Sequence, residues 1–543
     1  MLSSMALGLR LRDIRDVAAD IGLGEDLIEV HGPYRAKVRL SALETNPGPT
    51  GRFVLVTATT PTPHGEGKTV TAIGLSMALS SLGHRSALSL RQSSVGPIFG
   101  LKGGGAGGGA ASIEPLHEAL LGLGSDDFAV ETANNLLAAM LEEALHRGMA
   151  GLDPRTITWR RAIDMDDRSL RHILVGLGGE LGGVPRETGF DITAASEVMT
   201  VMALSRDLRD MRERLARIVP AFNTEGLPIT AASLGAAGAM AVVLRNALQP
   251  NLMQTSEGTP VFIHTGPFGN IATGNSSVVA DRIALPRVDY LVTEAGFAAD
   301  MGAEKMLHLK APVLGRTPDV AVLVTTIRAL KYHGAAAGTI AAGLGNMRRH
   351  IANLRRFGLP VVVAINRFPD DTDAEVQQVR AAALEEGAVA APDHDAYVHG
   401  GEGAIDLARS VVSAAQLGTT FQPLYRPEDS PVDKVAALAT QIYGAADVRW
   451  SPKAEKSLAQ FVEAGYGGLP ICMGKTHLSL SHDPALRGAP TGYTFPVQEV
   501  RLAAGAGLLN VLAGDIQTMP GLPKHPKAAL MDIDENGNIT GLE

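Results

Sequence analysis

The chain has 543 residues, enough for several domains and a large core, and carries a formal net charge of −9. That charge argues against a nucleic-acid binder, which needs a basic face, and no apolar run is long enough to span a bilayer. A single cysteine, Cys472, excludes an intrachain disulfide framework and a cysteine-cluster metal site. The N-terminal stretch "MLSSMALGLRLRDIRD" has no basic segment before its apolar part and no cleavage site, so it is not read as a signal peptide; a cytoplasmic location is expected.

In chain order, "RFVLVTAT" from Arg52 reads as a buried strand, and "KTVTAIGLSMALSSLG" from Lys68 as a helix closed by Gly83. Between them lies "TATTPTPHGEGKT", residues 57–69. Its end matches a phosphate-binding loop, yet Thr62, flanked by Pro61 and Pro63, stands where G-x-x-x-x-G-K-[ST] wants its first glycine. The strand–loop–helix context still predicts a nucleotide site formed by Thr62, Pro63, His64, Gly65, Glu66, Gly67, Lys68 and Thr69. Exposed N–H groups and the helix dipole cradle phosphates, Lys68 reaches the terminal ones, and Thr69 is the candidate ligand for Mg²⁺.

The next apolar run, "SALSL", ends at Arg91, and "GLKGGGAGGGAAS" follows from Gly100 as a loop suited to close backbone approach. Further runs begin at Val261 ("VFIHT"), Val288 ("VDYLVTEAGF"), Val320 ("VAVLVTT") and Leu359 ("LPVVVAINRF"). Continuous apolarity suits strands covered on both faces, and alternation with helical segments predicts a P-loop-type doubly wound α/β fold with a mostly parallel sheet. Ligands bind beyond the carboxyl ends of such strands, which directs attention to Thr57, His264, Glu294 and Asn366. The histidines lack metal-ligand spacing, so no zinc site is expected, and Cys472 reads as a small core residue.

The segments "TPTPHGEGKT" and "RQSSVGPIFGLKGGGAGGG" resemble the formate–tetrahydrofolate ligase family. The resemblance continues in order through "TWRRAIDMDDRSLR", "GFDITAASEVM", "HTGPFGNIATGNSS", "VTEAGFAADMGAEK", "INRFPDDT", "GGEGAIDLA", "PICMGKTHLSLS" and "TMPGLPKHPKA". It implies that ATP with Mg²⁺ phosphorylates formate, and that N10 of tetrahydrofolate attacks the formyl phosphate. It also implies a homo-oligomer, tetramer or dimer, and assistance from a monovalent cation. Three domains follow from it: residues 1–134 with the P-loop and a return segment near 335–350, an inserted α/β domain over 135–334, and a C-terminal α/β domain over 351–543 contributing to the folate site. By the same resemblance Lys68 and Arg91 are catalytic, Arg91 gripping formate and its phosphate, while Phe368 and Tyr397 pack on the folate. Glu294 and Asp300 serve the site or a turn; Lys475 and Lys524 are structural or bind nucleotide or the folate tail.

Departures fall near the expected active site. Where the family reads N-L-H-x-T-G-D-x-H-A, this chain has "LLGLGSDDFA", with Gly122 and Phe128 for the two histidines and Asp126 retained. Ala110 replaces a tyrosine; Gly269, Thr273 and Asn275 replace Ala, His and Cys; His477 and Leu478 replace Gln-Tyr. Gly122 and Ala110 are expected to open the pocket and Phe128 to make it apolar. Two further readings therefore stand beside tetrahydrofolate formylation: an acyl-phosphate ligase for another carboxylate or acceptor, and a nucleotide-binding paralogue without turnover.

Overall fold

The computed structural model describes residues 11–45, 48, 50–100, 105–149 and 151–542. The first ten residues of the N-terminal stretch and residues 101–104 of the glycine tract lie outside the described residues. Twelve strands form the central sheet: β1 (Ile28–Val30), β2 (Ala36–Val38), β3 (Arg52–Ala58), β4 (Ser86–Leu90), β5 (Gly107–Gly108), β6 (Ala111–Glu114), β7 (Asn251–Thr255), β8 (Pro260–Ile263), β9 (Tyr290–Glu294), β10 (Val320–Thr325), β11 (Val361–Asn366) and β12 (Asp393–His394). Their order is β1-β2-β7-β8-β4-β9-β3-β10-β11-β12, with β6 on β7 and β5 on β6. Every pairing from β8 to β12 is parallel. The pairings at the β1 end are antiparallel. The sheet draws strands from both sides of the expected boundaries at 134 and 334.

The apolar runs are continuous because both faces are covered. Along β3, Phe53 and Leu55 enter one core while Val54, Val56 and Ala58 enter the other. Strand β10 divides in the same way, with Ala321 and Leu323 on the first side and Val320, Val322 and Val324 on the second. Helices lie on both sides: α1 (Lys68–Ser81) and α5 (Ile405–Ala414) supply the second core, α3 (Val278–Ala284) and α4 (Ile340–Arg356) the first. This is an α/β architecture with a large, mostly parallel sheet. Helix α2 (Gly124–His146) packs into the first core through Val130, Ala133 and Leu137.

Strand order makes the crevice. The chain leaves β3, passes through α1 and enters β4 two places away; β9 fills the gap, and β10 lies on the other flank of β3. The reversal brings the carboxyl ends of β3, β9 and β4 side by side, the position where open α/β sheets bind ligands. A separate sheet of β13 (Ile471–Gly474), β14 (Glu499–Ala503) and β15 (Leu508–Leu512), ordered β13-β15-β14, reaches the same region. The thiol of its buried Cys472 lies 3.7 Å from the Ala272 carbonyl, in the loop after β8.

Candidate functional site

The loop after β3 shows how it manages without its first glycine. The Thr62 hydroxyl donates to the Glu66 carboxylate and accepts from the His64 N–H at 3.2 Å. Glu66 is 6 % exposed and also accepts from the Thr326 hydroxyl at the end of β10. Its carbonyl accepts from Asn366 Nδ2 at 3.1 Å, and Arg328 donates to the Gly65 carbonyl. The Glu66 side chain is therefore turned inward as the anchor of the loop, while Pro63, His64 and Gly65 are exposed. Gly65 and Gly67 have φ of +71° and +72°, a region open to glycine at little cost. A Cβ on Gly67 would also sit 2.3 Å from Asn366 Nδ2, so this position needs glycine twice over.

Helix α1 begins at Lys68 with Gly67 at its N-cap and no side-chain cap, which leaves first-turn N–H groups for an anion. Its first turn is braced from within. The Thr71 hydroxyl donates to the Gly67 carbonyl at 3.0 Å and accepts from His394 Nε2 at 3.1 Å.

Lys68 is ion-paired with Glu294, at the tip of the neighbouring β9, with side chains 15 % and 11 % exposed. Burial pushes the Lys68 ammonium down, and Glu294 holds it up in part. For Glu294, burial pushes up, but Lys68, Arg91 and a hydrogen bond from Thr69 bring it net below the usual carboxylate range. The carboxylate is ionised and shared among the residues best placed to meet phosphate. Arg91 leaves the end of β4; its Nη1 donates to the Pro267 carbonyl at 3.2 Å. Burial lowers its guanidinium, opposed by Glu294. The backbone of Gly296, just past β9, approaches so closely that a Cβ there would lie 3.1 Å from Arg91 Nη2. Lys68, Thr69, Glu294 and Arg91 thus form one cluster where three strand ends meet.

Phe368 and Tyr397 emerge beyond the carboxyl ends of the adjacent strands β11 and β12. The Arg328 guanidinium sits 4.0 Å above the Phe368 ring centroid. The Tyr397 carbonyl accepts from the Ala110 N–H at 2.8 Å, and its side chain is 41 % exposed. The described end of the glycine tract folds onto it: a Cβ at Gly109 would be 2.1 Å from the Tyr397 carbonyl oxygen.

Two expectations, those for Phe128 and Gly122, require correction. Phe128 does not line a pocket; it lies on the outer side of α2, 68 % exposed, one helical step beyond the buried Asp126 and Asp127. Gly122 opens no pocket either: a Cβ there would press on the Glu118 backbone and on Arg35, which donates to the Gly122 carbonyl. Asp126 is bound to Lys37 at 2.7 Å and to Asn251 at 2.8 Å. Asp300 and Lys475 form a buried ion pair at 2.7 Å, with Lys475 also donating to the Ser479 carbonyl at 2.6 Å. Lys524 is exposed. Among the described residues no three His, Cys, Asp or Glu side chains could jointly hold a metal ion. Sequence reasoning missed the contribution of Gly296 and Phe297, whose only signal is a Gly–aromatic pair one residue after a strand ending in Glu.

His264 is a strut. Its Nε2–H donates to the Ala247 carbonyl at 2.7 Å, and Nδ1 accepts from the Ser277 hydroxyl at 2.6 Å. Burial, then the Lys37 charge, drives its imidazole down to about 3. The folded ring is therefore neutral while the unfolded one takes a proton below about 6.5. Its contribution to stability is complete above that pH and is lost progressively as pH falls from 6.5 towards 3. His264→Gln should be less stable than the parent at pH 7.5. The gap in urea-unfolding free energy should narrow by about 1.4 kcal/mol per pH unit below 6.5. A gap constant down to pH 4.5 would mean that His264 is protonated in the folded protein.

The family model for formate–tetrahydrofolate ligase matches residues 3–543. A formate–tetrahydrofolate ligase of Roseiflexus castenholzii is 51 % identical over 557 residues, covering 99 % of each chain. That of Saccharopolyspora erythraea is 51 % identical, covering 98 % of this chain and 97 % of the other. That of Cutibacterium acnes is 49 % identical, with 98 % of each covered. With a match of this extent, the chain belongs to the formate–tetrahydrofolate ligase family.

Proposed function

We propose that the chain is an ATP-dependent ligase that activates formate as formyl phosphate and transfers the formyl group to N10 of tetrahydrofolate, releasing ADP and phosphate. The observation that carries this reading is the convergence of Lys68 and Arg91 on Glu294 at adjoining strand tips. Formate is a poor acyl donor because hydroxide leaves badly, and conversion to an acyl phosphate, a mixed anhydride, makes phosphate the leaving group. Such a transfer is catalysed chiefly by position and by charge placed in advance. The loop over residues 62–67 and the first turn of α1 receive the nucleotide phosphates. Lys68 moves from Glu294 to the transferring group, and the Arg91 fork holds the carboxylate and then the acyl phosphate. Phe368 and Tyr397 present faces for the pterin and its neighbouring ring.

Thr69 and Glu294 would hold Mg²⁺; an oxygen pair suits an ion that keeps water and takes its other ligands from phosphate. The ion would supply charge neutralisation at the transferring oxygens. A soluble, cytoplasmic homo-oligomer, tetramer or dimer, and activation by a monovalent cation belong to the same proposal. So does the three-domain division, supported at its C-terminal end by the separate sheet of β13, β14 and β15.

The purified protein, with Mg-ATP, tetrahydrofolate and potassium, should form ADP and 10-formyltetrahydrofolate only when formate is added. ATP cleavage triggered by acetate but not formate would assign the chain another carboxylate. Nucleotide binding without turnover would make it a non-catalytic relative.

A further inference from the structure

Among the described residues only Thr265, Phe297 and Ala335 are non-glycine residues with positive φ, and the first two border Arg91. The Thr265 carbonyl accepts from the N–H of Gln92, next to Arg91, at 2.8 Å. Phe297, at φ +60°, follows the glycine that lies against the guanidinium. Backbones held in this region are maintained by their surroundings and cluster at ligand sites. The surroundings are explicit. The Gly296 N–H donates to the Gly274 carbonyl at 2.8 Å, and the Gly296 carbonyl accepts from the Gly302 N–H at 3.1 Å. The backbone before Phe297 is thus pinned from two sides, and its ring points where that backbone sends it.

Two contacts receive the ring. A Cβ at Gly269 would stand 2.8 Å from Cδ2 and 2.9 Å from Cε2 of Phe297, so one ring edge fills the space that any larger residue would take. His477, just beyond β13, stacks on the ring at 4.6 Å between centroids and 25° between planes. Gly269 is two residues past Pro267, whose carbonyl holds Arg91. One loop therefore touches both the guanidinium, through Pro267, and the Phe297 ring, through Gly269. Gly269 and His477 are also two of the positions at which this chain departs from the family pattern.

We propose that Phe297 is the wall that sizes the carboxylate pocket beside Arg91, and that Gly269 and His477 are positioning residues that hold its ring. The inference rests on the reading that Arg91 grips formate. Formate differs from every other monocarboxylate by carrying hydrogen where they carry carbon. A site selects it by leaving no space for that carbon, which a rigid ring in fixed contact achieves and a mobile one does not.

The test is steady-state kinetics with formate and with acetate as the varied carboxylate, following ADP release. Gly269→Val, larger than the alanine of the family pattern, should raise the formate KM at least tenfold while kcat stays within about threefold and the ATP KM is unchanged. His477→Ala and Phe297→Leu should lower the formate-to-acetate ratio of kcat/KM at least tenfold. His477→Phe keeps the stack without a titratable nitrogen, so it should retain the parent ratio and pH profile. An active parent enzyme whose Gly269→Val and His477→Ala variants keep formate KM and the ratio within twofold would overturn the inference. So would His477→Phe losing kcat as fully as His477→Ala, because the imidazole nitrogens would then be what matters. A parent enzyme that makes no formyl product from formate would instead overturn the functional reading, and this inference with it.

Discussion

Lys68→Ala should lower formate-dependent ADP release at saturating ATP by about 10²–10³-fold, the usual cost of removing one fixed donor from a developing charge. The argument rests on where Lys68 is held. It leads α1, beside the N–H groups that receive phosphate, and its ammonium is paired with Glu294 in a site where burial already works against its charge. A negative phosphoryl group relieves that penalty, and its attraction grows as charge develops on the transferring oxygens. The variant also strands Glu294 beside only Arg91 and Thr69, so lost activity could be confused with lost stability. Lys68→Ala/Glu294→Gln separates the two. The double variant should recover thermal stability, bind ATP within about tenfold of the parent, and remain inactive. A single variant that keeps a tenth of the parent kcat would take Lys68 off the transferring phosphate.

The long apolar runs announce β3, β9, β10 and β11, since a strand covered on both faces cannot alternate, and their polar ends already mark the crevice. The short strands at the two edges of the sheet are silent in the sequence. Strands β1, β2, β5, β6 and β12 have two to four residues each, too few to show a period, and tertiary pairing alone defines them. Arg91 was legible because it follows a strong run directly, and Lys68 because it closes a Gly-Lys-Thr loop between a strong run and a helix. Glu66 was legible as part of a loop but not as its anchor, because its partners Thr326 and Asn366 come from other strands. Phe128 shows the limit of ungapped comparison. A substitution in a catalytic stretch of relatives looks like a change of pocket, yet α2 turns this residue outward. The pinning of Phe297 was invisible for the opposite reason: Gly269, Gly296 and His477 come from three separate segments, and only folding brings them together.

Arg91→Lys should be nearly as damaging as Arg91→Ala, with kcat/KM for formate lower by about 10²-fold or more in both and the ATP KM little changed. Charge alone is not what the position requires. Nη1 already donates to the Pro267 carbonyl, and Gly296 has no side chain to crowd the guanidinium, whose plane fixes the direction of its remaining N–H groups. A carboxylate and the acyl phosphate made from it are both planar or forked acceptors, and a two-pronged donor meets each without moving. Lysine offers a point charge on a flexible stem; it would have to choose between Pro267 and substrate, and Glu294 would compete for it. Initial rates with varied formate distinguish these cases. If Arg91→Lys retains more than a third of the parent kcat/KM, the position supplies only positive charge. If exogenous guanidinium restores turnover to Arg91→Ala but not to Arg91→Lys, where the ammonium blocks entry, the fork itself is the catalytic element.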